Sequence, residues 1–248
     1  MKPAAKYGIA AAVVIVVLGA AGVFWFLRDD SPDEVSLDAA VGQVADATTT
    51  TAAGDTATTA ADSGISGTWT VDTETGEFDY ESATGTFAGF RIEEELASIG
   101  ATEAVGRTGD VSGSVVIDGT TVTSADIEVD MTTITTNESR RDGRVQSALD
   151  TDQFPTATFS LTEPIDLGDG AESGEAVSVT ATGDLTIHGV TKSVQIPLEA
   201  QLVDGTVVIV GSTEVRFSDY DVEVPSAPVV VSVSDVGTLE LQLLLTRS

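Results

Sequence analysis

The sequence predicts an all-β, antiparallel domain of sandwich or barrel type, and three observations predict it. Apolar and polar residues alternate along several runs. Val177, Val179, Ala181, Leu185 and Ile187 share one parity, with Ser178, Thr180, Thr182, Asp184 and Thr186 between them. Period-two alternation places one face of a strand in a core and the other in water. The apolar parity then switches across His188-Gly189, so that Val194, Ile196 and Leu198 alternate with Ser193, Gln195, Pro197 and Glu199. A switch of parity marks a turn between two strands. Finally, Asp118-Gly119 and Asp204-Gly205 each separate two such runs. Asp-Gly favours a type I′ hairpin turn, in which both central residues take positive φ.

The elements follow in chain order. Residues 8–27 form an uncharged run of twenty, GIAAAVVIVVLGAAGVFWFL. As a helix this run reaches roughly 30 Å, the thickness of a bilayer core. Lys2 and Lys6 precede it, and Arg28 is followed at once by Asp29 and Asp30. Positive charge stays on the cytoplasmic side, which puts the N-terminus inside and the rest of the chain outside. A cleaved signal peptide is the rival reading, but the run is long for one and no clear A-x-A cleavage site closes it before Arg28. Residues 1–28 are therefore expected to be a single-pass membrane anchor.

Residues 29–66 carry eight acidic side chains and no basic ones, and the stretch from Ala45 to Asp62 is nearly all Thr, Ala, Asp and Gly. Such a composition buries too little apolar area to fold, so a flexible linker is expected. The β pattern begins at Gly67. Expected strands are Trp69–Asp72, Phe87–Leu96, Val111–Asp118, Thr121–Ile134, Thr156–Leu161, Ala176–Ile187, Ser193–Leu202, Thr206–Phe217, Val229–Val233 and Thr238–Thr246. One helix is expected from Ser139 to about Ala148, opened by a capping box of Ser139 and Asp142.

Composition narrows the chemistry. The chain has no cysteine and one histidine, so disulfides, a thiol nucleophile and the usual zinc sets are excluded. No metal or cofactor is expected. From Gly67 onward, 32 acids stand against eight bases, a net charge of −24 out of −29 for the whole chain. Such a surface repels phosphate backbones, so nucleic acid is not an expected partner.

Several segments carry a resemblance to a known family. They are Trp69-Thr-Val-Asp72, Arg140-Arg141-Asp142, Asp152-Gln-Phe-Pro-Thr-Ala-Thr-Phe159 and Gly183-Asp-Leu-Thr-Ile-His-Gly-Val-Thr-Lys192. Phe217-Ser-Asp-Tyr-Asp-Val222 and Gly237-Thr-Leu-Glu-Leu241 complete the set. Together they resemble the YceI-like family of extracytoplasmic lipid-binding proteins, over residues 67–247. The most specific element is LTIHGVTK. The resemblance implies an eight-stranded antiparallel barrel, lipocalin-like in outline, whose interior takes a polyisoprenoid or a quinone tail. Many members have a histidine soon after the first strand, and residues 77–84 have none. The segment from Phe87 to Glu95 looks like that of a membrane-anchored actinobacterial subgroup.

Candidate site residues are then apolar. Ile127, Val129, Met131, Phe159, Val177, Val179, Leu185, Ile187, Val194, Ile196, Leu241 and Leu243 are expected to line the interior. Ala125, Ala181 and Gly183 leave room beside them. Trp69, Arg141, Asp142, His188 and Gly189 are expected to be structural motif positions. His188 sits at a corner without a Ser or Cys nucleophile motif, and acid pairs such as Glu93 with Glu95 follow from the sheer number of acids, so an enzyme is not expected. Arg140, Arg141 and Arg144 either meet an anionic headgroup or pair locally with carboxylates.

The expected function is binding of a long isoprenoid-type lipid in an extracytoplasmic barrel, for storage, shielding or transport near the membrane. The alternative is a non-catalytic cell-envelope interaction module with a filled core. Interior volume discriminates the two, because ligand pockets begin at ~300 Å³.

Overall fold

A computed structural model describes residues 31–51, 64–76, 78, 80, 84–96, 100–224 and 230–248. Among these residues are twelve strands, two α-helices and three short 3-10 helices. The strands are β1 (Gly67–Asp72), β2 (Phe87–Leu96), β3 (Gly100–Thr108), β4 (Val111–Asp118), β5 (Thr121–Asp130) and β6 (Thr135–Thr136). They continue as β7 (Thr156–Leu161), β8 (Ile165–Asp166), β9 (Val177–Ile187), β10 (Val190–Val203), β11 (Thr206–Arg216) and β12 (Val230–Arg247). The helices are α1 (Leu37–Thr51) and α2 (Ser139–Ala148).

Eight strands close an antiparallel barrel in the order β1-β4-β5-β7-β9-β10-β11-β12, with β12 returning to β1. Closure leaves no free edge among these strands, the usual hazard of an exposed sheet. The 18-residue β12 serves two partners along one edge. Its last residues pair with β1 (Asp72 opposite Leu244), and its earlier residues pair with β2 (Phe87 opposite Gln242). β2, β3 and β6 thus form a flap continuing from the barrel wall.

Two corners differ in the expected way from an open loop. His188 and Gly189 lie at φ 51° and 74°, between paired Ile187 and Val190. Asp204 and Gly205 lie at φ 49° and 86°, between paired Val203 and Thr206. Both are two-residue turns with positive φ at each central position, the backbone twist that suits a hairpin. The third corner departs from expectation. Asp118 pairs with Thr121, so the central residues are Gly119 and Thr120, and of the two only Gly119 has positive φ.

Four other expectations are corrected. Part of the expected linker is ordered: α1 buries Leu37, Ala40 and Val44 against Val208, Val210 and Leu244 on the outer wall. The cue is Leu37, Ala40, Val41 and Val44 at i, i+3, i+4 and i+7, behind Ser36, whose hydroxyl accepts from the Ala39 N–H (3.4 Å). The strand β3 was not expected, because Gly100–Thr108 holds one valine and its last five residues are all buried, leaving no alternation. β12 is continuous where two strands were expected; a register shift between Val233 and Gly237 interrupts its pattern. The strand expected to reach Ile134 stops at Asp130, whose carboxylate accepts from the Thr132 N–H (2.8 Å) and opens a 3-10 turn.

The capping box at α2 is also replaced. Glu138 is the N-cap and makes no side-chain cap. The Asp142 carboxylate reaches back instead to Thr136, accepting from its N–H (2.8 Å) and its hydroxyl (2.7 Å). Among the described residues no helix is long and apolar enough to cross a membrane. The expected anchor, residues 8–27, lies outside the described residues, as do residues 52–63 of the expected linker.

Candidate functional site: an apolar barrel interior

The inward faces of the barrel strands enclose a cavity of about 200 Å³. Its wall is almost entirely carbon. Every barrel strand except β1 contributes to it: Val115 from β4, Ile127 and Val129 from β5, Ala157 and Phe159 from β7, Val179, Ala181, Leu185 and Ile187 from β9. Ile196 and Leu198 come from β10, Ile209 from β11, and Leu239, Leu241 and Leu243 from β12. Met131 and Ile134 follow β5, and Ala88 and Phe90 enter from the flap.

Of the twelve residues expected to line the interior, ten stand on this wall: Ile127, Val129, Met131, Phe159, Val179, Leu185, Ile187, Ile196, Leu241 and Leu243. Val177 and Val194 do not. Val177 packs in the apolar cluster at one end of the barrel and Val194 in the cluster at the other. Alternation gives the face of a strand but not the depth along the barrel axis, and this separates the two groups. Ala125 and Ala181 are on the wall as expected, whereas Gly183 makes room for something else. A side chain there would collide with the ring of Phe159 and the carbonyl of Ser160, so its bareness seats an aromatic ring. Leu239 and Leu198 belong to the same alternations as expected residues, and that signal locates them too, whereas Ile209 lies in the unbroken apolar run Val207–Val210, which has no alternation to read.

Two plugs bound the cavity. One end is closed by Ile65, Trp69, Ile117, Val122, Ile165 and Ala171. Trp69 is buried, its indole N–H donates to the Ile65 carbonyl (2.8 Å), and the Arg247 guanidinium lies over its ring (5.0 Å). The other end is closed by Val145 and Leu149 at α2 together with Phe217, Tyr220 and Val222. At that end Arg141 donates to the buried Glu94 carboxylate and to Asn137, fixing α2 against the flap. The pairing reading of Arg141 therefore accounts for it locally. Arg144 is exposed.

The remaining motif positions hold corners. His188 Nδ1 lies 3.2 Å from the Tyr220 carbonyl, and its ring meets the edge of Phe154 at 4.7 Å. Gly189 lies beneath the same Phe154 ring, where a Cβ would clash. The Tyr220 contact ties the β9–β10 corner to the segment after β11, and the Phe154 contacts tie it to the segment before β7. The Tyr220 hydroxyl is buried without a hydrogen-bond partner among the described residues, and burial together with the neighbouring Asp219 raises its phenol pKa above the ordinary value.

Charge is kept outside the cavity. Glu240, on β12, directs its carboxylate to Arg91 (2.8 Å) and Arg107 (2.7 Å), and Arg91 also meets Glu103 (2.7 Å). Burial disfavours the charge on Arg91, but Glu240 and Glu103 outweigh it and hold the guanidinium protonated above its ordinary range. Sequence reading missed this network because its members lie on β2, β3 and β12, far apart in the chain.

A family model described as the YceI-like domain matches residues 39–245. The chain belongs to the YceI-like family. Its relatives include a UPF0312 protein of Vibrio parahaemolyticus, 29% identical over 145 residues, which cover 54% of this chain and 72% of that protein. A UPF0312 protein of Shewanella denitrificans is 30% identical over 152 residues, 57% of this chain and 76% of that protein. Among solved structures, a polyisoprenoid binding domain from Saccharophagus degradans, implicated in plant cell wall breakdown, superposes with a TM-score of 0.51 at 16% identity. That match covers 66% of this chain and 94% of the other. BcnA of Burkholderia cenocepacia superposes with a TM-score of 0.52 at 18% identity, covering 70% and 98%. Both likenesses are of fold. The family match begins within α1, so the YceI-like segment of this chain includes the outer helix as well as the barrel.

Proposed function

We propose that this YceI-like barrel binds a long apolar lipid of polyisoprenoid or quinone-tail type. It does so outside the cytoplasmic membrane, to which residues 8–27 anchor it, and thereby stores, shields or carries the lipid near the membrane face. In this reading the protein is a membrane-anchored member of the family and no catalytic step is involved. The observation that carries the reading is the carbon-lined cavity. Burial of apolar chain contributes roughly 0.8 kcal/mol per methylene, so a few isoprene units provide gross affinity without polar contacts. A fold neighbour described as a polyisoprenoid binding domain supports the same ligand class.

Volume sharpens the proposal. A dry aliphatic cavity of ~150 Å³ already accepts benzene. At about 200 Å³ the cavity encloses only a short stretch of a long chain. The wall must give to admit more. The end under α2 is the place where it can, because a ten-residue helix is marginal alone and is held by side chains rather than by a strand ladder. The cavity is also smaller than the ~300 Å³ at which ligand pockets usually begin, and this favours the second reading, an envelope interaction module with a largely filled core.

A cavity-filling variant separates the two. Ala125→Phe places a ring in the open interior. With residues 31–248 and a fluorescent prenyl probe, lipid binding predicts several-fold weaker uptake by Ala125→Phe at nearly unchanged melting temperature. Equal uptake by both proteins, or none by either, rejects the interior as the binding site.

A further inference from the structure

The geometry points to a fixed attitude of the barrel at the bilayer: the end capped by α2 faces the lipid surface, and the Asp204-Gly205 end faces away. The inference rests on the anchor reading of residues 8–27 and is independent of what the cavity holds.

The first observation is how the chain arrives at the barrel. The Ser31 hydroxyl donates to the Glu103 carbonyl (3.1 Å). The Pro32 carbonyl accepts from Arg91 (2.7 Å), and the Asp33 carbonyl accepts from both Arg91 (2.6 Å) and Arg107 (2.8 Å). Both guanidinium groups are almost fully buried and are themselves fixed by Glu240. Charge-assisted hydrogen bonds to two anchored guanidinium groups make a rigid bracket, not a tether. Beyond it, α1 lays Ala40 and Val44 over Val208, Val210 and Leu244.

The second observation is the direction in which this segment runs. Arg91 lies opposite Thr238 of β12, and Thr238 lies opposite Glu214 of β11. Glu214 is near the end of β11 that leads into the turn beside His188, while Val208 is near the Asp204-Gly205 turn. The docked segment therefore descends the outer wall from the α2 end by six residues of β11, or about 20 Å along the strand. Ser31, its first docked residue, meets Glu103, which pairs with Glu93 farther out on the flap.

Reach then sets the attitude. The apolar run ends at Leu27, four residues before Ser31. Four extended residues span at most ~14 Å. The bilayer edge must lie within that distance of the Ser31 contact, which is closer to the α2 end than to the far turn. Val231, 62% exposed, projects at this same end, where Ser232 of β12 pairs with Glu95. An exposed valine suits a lipid boundary. The acidic surface gives no electrostatic adhesion to anionic headgroups, so the bracket supplies the orientation.

The chain has no cysteine, which makes single labels clean. Full-length Val231→Cys and Asp204→Cys proteins, each carrying one fluorophore, are placed in phosphatidylcholine vesicles with brominated acyl chains. The expected result is several-fold stronger quenching at position 231 than at 204. A flexible Gly/Ser insert of about ten residues between Asp30 and Ser31, which leaves the bracket and barrel intact, is expected to abolish that difference while the protein still floats with the vesicles. Equal or reversed quenching without the insert, or a difference that survives it, overturns the fixed attitude and leaves the anchor standing. Failure of the full chain to float with vesicles overturns the anchor and the attitude together.

Discussion

Tyr220 is a residue whose environment fits its ring better than its hydroxyl. The ring packs with Phe217 and Val222, while the oxygen has no partner among the described residues. A buried hydroxyl without a hydrogen bond costs roughly 1–3 kcal/mol. Tyr220→Phe is therefore expected to leave stability unchanged or raise it by up to about 1 kcal/mol, in urea unfolding. A loss above that amount would mean that the hydroxyl is used. Asp72 has the opposite character. Burial pushes its carboxyl up, but the Thr75 hydroxyl and the N–H groups of Glu74 and Thr75 outweigh this and hold it below the ordinary 3.8. A carboxylate with a depressed folded-state pKa contributes stability that is present above its unfolded pKa and is lost as the pH falls through the folded value. The stability gap between wild type and Asp72→Asn should therefore be constant from neutral pH to near pH 4 and then close on further acidification. A gap independent of pH contradicts the assignment.

Elements show which signals a sequence carries. β4, β7 and β9 have one face buried and one wet, and their bounds follow from alternation to within a residue. α2 is legible for its Ser-Arg-Arg-Asp start, although Asp142 serves Thr136 and not the helix N-cap. β3 is illegible because the Phe90 ring and the Ser31–Asp33 segment lie against it and bury both parities; a side chain at Gly106 would collide with the Phe90 ring. α1 was hidden by its neighbours: its four apolar positions have helical spacing, but they run into the Thr/Ala/Asp tract. Its burial comes from the outer faces of β11 and β12, so its amphipathic stripe becomes meaningful only once the barrel exists. α2 carries a dynamic consequence. Arg141 joins it to Glu94, a carboxylate that is itself buried. Arg141→Ala frees that end of the barrel, and probe exchange is expected to quicken several-fold while the equilibrium fold persists, as read by stopped-flow fluorescence. Unchanged exchange would place the lipid's route elsewhere.

At the scale of the whole molecule, charge and carbon are separated by the barrel wall. Among the described residues from Gly67 onward the only buried acids are Glu94 and Glu240, whose carboxylates pair with arginines, and the cavity wall is almost entirely apolar. This partition was legible as strand parity, but whether the interior is hollow was not, because alternation is identical for a filled and an open barrel. Hollowness depends on side-chain volumes across strands that are distant in the chain, such as Ala125, Ala181 and Ala157 facing Leu241 and Ile209. The most direct measurement is native mass spectrometry of residues 31–248 after incubation with a polyprenol, followed by solvent extraction of the complex. The account predicts one prenyl chain per barrel, removed by extraction and excluded by Ala125→Phe. A barrel that stays empty under those conditions, or binds the chain equally well with its interior filled, contradicts it.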